Sequence, residues 1–229
     1  MDLKKEIFDF SNAGYIFVHC FTAHSRPSSW RRRGLVLGLS GATCSGKTTL
    51  AAQLVQQHFP NARVLSQDDF YYPDDSPEHT RIPELDHVNW DRVDAVDMAA
   101  FRREIQTYLS TAFSGSGEEG PPLLILDGIT IFNDVATAKL CDVKYFFTLD
   151  RNECLARRSR RSYDPPDVPG YFELTAWPQY LANLRELEQA GMIGEADGRI
   201  RFLDGALSLN ERCKIIRDEV LRQCERSSL

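Results

Sequence analysis

The chain has 229 residues, 42% of them hydrophobic and 26% charged, with a formal net charge of −6, enough to bury one substantial core. That acidic balance argues against a nucleic-acid surface as its main business, because backbone phosphates are bound by clustered Lys and Arg. Six cysteines (Cys20, Cys44, Cys141, Cys154, Cys213, Cys224) lie far apart, with no C-x-x-C pair and no His at zinc-ligand spacing, so they read as reduced thiols of a cytoplasmic protein.

In chain order, Tyr15 to Phe21 is apolar but far shorter than a membrane span, and Asp2, Glu6 and Asp9 spoil both a signal-peptide and a transit-peptide reading. Residues 1–33 read as a poorly ordered extension, with SRPSSWRRRG as a linker into a domain covering 34–229. Leu35 to Leu39 suits a buried parallel strand. Thr48 to His58 reads as a helix, with Leu50, Ala51, Leu54, Val55 and Phe59 at helical spacing. Ala62 to Ser66 is a second strand, and Ala95 to Leu109 an amphipathic helix opened by Asp94. SGSGEEGPP (Ser114 to Pro122) is a surface loop, followed by strands at Leu123 to Leu126 and Val143 to Leu149. A helix from about Asn152 runs through ARRSRR into a proline-rich loop; then come a helix over Glu173 to Gln189, a strand at Ile200 to Leu203 and a closing helix from Leu209. Repeated strand–helix units with short apolar strands predict an α/β fold, a doubly wound and mainly parallel sheet, with a helical lid over about 151–172.

GATCSGKT satisfies the G-x-x-x-x-G-K-[ST] spacing of a phosphate-binding loop: Gly41, Ala42, Thr43, Cys44, Ser45, Gly46, Lys47 and Thr48, with Thr49 following. The glycines let backbone N–H groups curl around phosphate oxygens, Lys47 reaches the β- and γ-phosphates, and the Thr48 hydroxyl suits Mg²⁺. Acids should then gather at strand carboxyl ends. The second strand ends in SQDDFYY, where only one of Asp68 and Asp69 can face the loop because adjacent extended side chains diverge. The third runs through LLIL into Asp127 and Gly128, the place of a second acid that holds Mg²⁺ directly or through water. After the fourth strand come Arg157, Arg158, Arg160 and Arg161, which cannot share one helical face; guanidinium groups there can close over transferred phosphate and exclude water.

SGATCSGKTTL, SQDDFYY, NWD, LDGITIFN and RRSYDPPDVPGYF, in this order and at these separations, resemble the nicotinamide riboside kinases of the uridine-kinase-like P-loop group, from about Leu35 to the C-terminus. The resemblance implies a nucleoside-kinase-like fold and ATP- and Mg²⁺-dependent phosphorylation of the ribose 5′-hydroxyl of nicotinamide riboside or nicotinic acid riboside, with no nucleic-acid or membrane partner. It places the general base at Asp68, close to the magnesium held by Thr48, and Lys47 beside it in catalysis. It puts Asp91 on the ribose hydroxyls, Trp90 and Tyr163 on either face of the pyridine ring, and Asp69, Phe70, Tyr71 and Asp164 on the substrate side. Asp127 replaces the family's glutamate with a shorter reach toward the metal. Arg157 and Arg161 go to ATP phosphates and Arg158 to the substrate. A uridine-type kinase is the alternative: Asn89-Trp90-Asp91-Arg92 is similar to its segment, but that family has His in place of Arg92 and an R-D-x-x-x-R-G-R lid absent here. A non-catalytic nucleotide-binding regulator is opposed by intact Lys47, Thr48, Asp68 and Asp127.

Overall fold

A computed structural model describes residues 34–112, 123–163, 166–196 and 198–226. The expected extension over 1–33 and the loop over 114–122 lie outside the described residues. The elements in order are β1 (Leu35–Gly41), α1 (Lys47–Gln57), β2 (Arg63–Ser66), β3 (Arg81–Ile82), β4 (His87–Val88), α2 (Met98–Ala112), β5 (Leu123–Asp127), α3 (Val135–Ala138), β6 (Val143–Thr148), α4 (Arg151–Arg158), α5 (Trp177–Gln189), β7 (Arg201–Asp204) and α6 (Leu209–Arg226).

Five strands form one sheet in the order β2-β5-β1-β6-β7, and every pairing is parallel. A strand covered on both faces reads as a near-continuous apolar run, and β1 and β5 are buried throughout, with polar Ser40 and Asp127 only at their carboxyl ends. The two-residue alternation splits them between layers. Leu35, Leu37, Leu39, Ile125 and Phe147 pack with Leu50 and Leu54 of α1 and Ile216 and Val220 of α6. Val36, Leu124, Leu126 and Phe146 pack with Phe101 and Ile105 of α2 and Leu187 of α5. The chain moves outward from β1 to one side and later to the other, so the loop after β1 sits at the switch point where a crevice opens. Registers of Leu39 and Ser66 against Asp127 bring the carboxyl ends of β1, β2 and β5 together there.

Two helix starts differ from expectation. α2 begins at Met98 rather than Ala95, and Asp97 rather than Asp94 caps it, its Oδ1 accepting from the Ala100 N–H at 2.8 Å. Asp94 instead pairs with Arg92 at 2.6 Å, because residues 93–95 form a 3-10 turn and Val96 makes a β-bridge to Tyr71. The helix expected from Glu173 opens with a π turn over Phe172–Ala176, in which the Trp177 N–H bonds to the Phe172 carbonyl. Pro178 has no N–H for the Leu174 carbonyl, which permits the slip in register. Among the described residues no helix is long and apolar enough to cross a membrane.

Candidate active site

The turn after β1 depends on two glycines. Gly41 has φ 106° and a β-carbon there would strike the Phe147 backbone; Gly46 has φ 86° and a β-carbon would lie 2.8 Å from Arg212 Nη1. Each carbonyl from Gly41 to Ser45 accepts a side-chain hydrogen bond. Lys47 Nζ donates to the Gly41 and Ala42 carbonyls at 3.1 and 2.8 Å, and Ser45 Oγ to Ala42 at 2.7 Å. Cys154 Sγ donates to the Thr43 carbonyl, Arg157 Nη1 to that of Cys44 at 3.3 Å, and Arg212 Nη1 to that of Ser45 at 2.7 Å. Among the described residues, the N–H groups from Thr43 to Thr48 have no backbone acceptor. Unpaired N–H groups running into the start of a helix are what an anion-binding loop offers. Lys47 is buried, which pushes its pKa down, while the charges of Asp127 and Asp68 pull it back up.

The loop forms one wall of a cavity of about 840 Å³. Asp68 and Asp127 stand in the same cavity. Asp68 is open to the cleft, yet the surrounding walls desolvate it and Asp127 repels its charge, so its pKa is raised despite Lys47 and Arg161. Thr48 and Thr49, exposed at the start of α1, also line this space. Among the described residues no group of three His, Cys, Asp or Glu is disposed to hold a metal. A hydroxyl with two carboxylates nearby, all hard oxygen donors, nevertheless fits Mg²⁺, which keeps water and phosphate ligands rather than a protein cage.

On the far wall Asp91 is buried, its Oδ2 accepting from the Tyr171 hydroxyl at 2.9 Å, and that hydroxyl in turn accepts from the Trp90 N–H at 2.9 Å. Burial raises the Asp91 pKa, against the pull of Arg158 and of the Tyr171 bond. Trp90 lies edge-on to His79 and Tyr71, with ring centroids 4.6 and 5.7 Å away. The lid side comes from α4, started by Asp150, whose carboxylate caps the Asn152 and Glu153 N–H groups. Arg158 forms a two-pronged pair with Asp167 at 2.6 and 2.9 Å and reaches Thr43 Oγ1 at 3.3 Å. The Tyr163 ring carries the guanidinium groups of Arg158 and Arg161 at 4.5 and 5.4 Å, and its hydroxyl is 3.3 Å from Cys44 Sγ.

Thr43, Cys44, Gly46, Lys47, Thr48, Thr49, Asp68, Tyr71, Trp90, Asp91, Asp127, Arg157, Arg158, Arg161 and Tyr163 therefore share one cavity, as do Asp74 and Asp167. Of the other expected positions, Gly41, Ala42 and Ser45 are buried behind the loop, and Phe70 packs edge-on against Phe101 in the core at 5.2 Å. Asp69 is exposed outside the cavity walls, and Asp164 lies outside the described residues. Three supports were not foreseen: Gln67, Tyr171 and Arg212. Tyr171 stands in the proline-rich stretch already singled out, and Gln67 directly precedes Asp68, whereas nothing local marks Arg212.

No family model matches the chain. Among solved structures, a sugar kinase from Janibacter sp. HTCC2649 is similar with a TM-score of 0.50 at 14% identity, over 80% of this chain and 92% of that one, a likeness of fold. Uridine kinase of Ligilactobacillus salivarius is 30% identical over 57% of this chain and 67% of its own. Mouse nicotinamide riboside kinase 1 is 33% identical over 84% of this chain and 97% of its own length, and human nicotinamide riboside kinase 1 is 35% identical over 76% and 85%. With human nicotinamide riboside kinase 2 also at 30% identity over 81% of this chain, the chain belongs to the nicotinamide riboside kinase family.

Proposed function

We propose that this protein transfers the γ-phosphoryl group of ATP to the ribose 5′-hydroxyl of nicotinamide riboside, and of nicotinic acid riboside, to give the mononucleotide used in NAD synthesis. The observation that carries the reading is the meeting, in one cavity, of a phosphate cradle, an acid pair and a buried acid flanked by aromatic rings. Phosphoryl transfer asks for positioning and charge neutralisation more than for covalent help, and this set supplies both.

The loop N–H groups and Lys47 take the ATP phosphates, joined from the lid by Arg157 and Arg161. Thr48, Asp68 and Asp127 are the residues that would hold Mg²⁺, which when bound offsets charge on the phosphoryl oxygens. Asp68 receives the proton of the 5′-hydroxyl; burial and the charge of Asp127 raise its pKa, which makes it a stronger base than an ordinary carboxylate. Asp91 accepts from the ribose hydroxyls, with Arg158 nearby on the substrate side. The pyridinium ring of nicotinamide riboside is cationic and flat, which suits the aromatic faces of Trp90, Tyr71 and Tyr163. A coupled assay of ADP release across nicotinamide riboside, nicotinic acid riboside, uridine and cytidine tests the reading. Nicotinamide riboside is expected to give the highest kcat/KM, and faster turnover of uridine would overturn it.

A further inference from the structure

Arg212, the fourth residue of α6, turns inward beneath the phosphate loop and is only 7% exposed. Its Nη1 donates to the Ser45 carbonyl at 2.7 Å, while its Nε is buried with no partner. Among the described residues no carboxylate pairs with it: the adjacent Glu211 is engaged by the Ser208 hydroxyl and N–H. Its pKa is pushed down by burial first and then by the like charge of Arg157. The first turn of a helix is also where the backbone dipole favours an anion. Burial, a neighbouring cation and the dipole oppose this charge, and the charges of Cys213 and Asp204 offset them only in part.

What the position secures is one peptide plane. In a trans peptide the C=O of Ser45 and the N–H of Gly46 point in opposite directions. A donor that anchors the carbonyl on the α6 side therefore turns the Gly46 N–H toward the cavity that Gly46 lines. We propose that Arg212 is a positioning residue for the polyphosphate of a nucleotide: it fixes the Ser45–Gly46 peptide and holds, behind the loop, a charge whose missing counter-ion is the bound phosphate. This rests on the kinase reading only in taking a nucleotide as the ligand of the loop.

Arg212→Gln keeps a donor for Ser45 and drops the charge, Arg212→Lys keeps the charge, and Arg212→Met drops both. Calorimetry would give dissociation constants for ADP and for nicotinamide riboside, and thermal melts the stability without ligand. In Arg212→Gln the ADP constant should rise about tenfold, that for the nucleoside should stay put, and the unliganded protein should melt no lower than wild type, since an opposed charge has been removed. Arg212→Lys should recover most of the ADP affinity. A wild-type ADP constant in Arg212→Gln overturns the proposal whatever its melting temperature, as does an equal loss of nucleoside affinity. Should Arg212→Met not fold, the Gln and Lys variants still decide. Wild-type protein that binds ADP but not nicotinamide riboside would sink the substrate reading instead.

Discussion

Tyr171→Phe removes one oxygen from the wall of the site and keeps the ring that packs there. The Tyr171 hydroxyl joins two groups of the wall: it donates to the buried Asp91 carboxylate and accepts from the half-buried Trp90 N–H, each at 2.9 Å. A hydrogen bond to a charged group contributes about 1.5–3 kcal/mol, and an orphaned buried N–H costs about 1–3 kcal/mol. Part of this is recovered when Asp91, whose pKa burial already raises, takes up a proton more readily without its donor. The net loss of stability should be roughly 2–4 kcal/mol, which most folded domains survive. The functional effect should be selective. Asp91 loses the donor that orients it and favours its charged form, so the nucleoside KM should rise about tenfold, equivalent to about 1.4 kcal/mol of binding, while the ATP KM holds. Denaturant unfolding gives the first number, and steady-state kinetics with each substrate varied in turn gives the second. A lower midpoint with an unchanged nucleoside KM would make Tyr171 a packing residue and refute the link to Asp91; equal increases in both KM values would show a general loosening.

Asp68→Asn should reduce turnover by a factor of about 10²–10⁴ with a much smaller change in ATP affinity, measured on one preparation; near-normal turnover would take the base away from Asp68. The base works ionised, and its pKa lies above the ordinary carboxylate value, so turnover should fall as pH drops through that raised value. In metal-free protein, Asp127→Asn removes the repulsive charge and should lower the Asp68 pKa followed by NMR titration, and a shift to higher pH would contradict the sign. A chain started at Gly34 should keep its activity, as the motifs begin with β1; loss of soluble, active enzyme would place residues 1–33 in the working fold.

The parts legible in the sequence are those fixed by local backbone demands. The phosphate loop needs two residues free of a β-carbon at set spacing, and Gly41 and Gly46 stand at positive φ for that reason. β1 and β5 could be read because double burial leaves an unbroken apolar run. The start of α2 could not, because Asp94 and Asp97 are equally good caps by type and the choice is made by the bridge between Tyr71 and Val96, distant in sequence. The hairpin of β3 and β4 has two residues a side, too few for alternation to show. Phe70 sits beside the acid pair in sequence, yet the 3-10 turn over Gln67–Phe70 sends its ring to Phe101 in the core. Arg212 reads as one more solvated arginine of a charged helix; only packing α6 against α1 and β1 brings it beneath the loop.

Gln67 shows how the fold keeps two like charges where chemistry needs them. Asp68 and Asp127 lie at the ends of adjacent strands, with Ser66 in register against Asp127, and the charge of Asp127 opposes ionisation of Asp68. Left free, the two strand ends could relieve that repulsion by moving apart. Gln67 prevents it. Its side chain is fully buried, with Oε1 accepting from the Ile129 and Thr130 N–H groups at 3.0 and 3.1 Å and Nε2 donating to Thr130 Oγ1 at 2.9 Å. The loop after β2 is thereby tied to the loop after β5 through one amide whose donor and acceptor sides are both engaged, an arrangement that is costly to break when buried. The same tie orients the neighbour. Successive side chains of the tight turn over Gln67–Phe70 point in different directions, so burying Gln67 leaves Asp68 facing the open cleft, whereas Asp69 faces away from the cavity. The glutamine thus settles, through packing, the choice between two adjacent aspartates that sequence spacing alone leaves open.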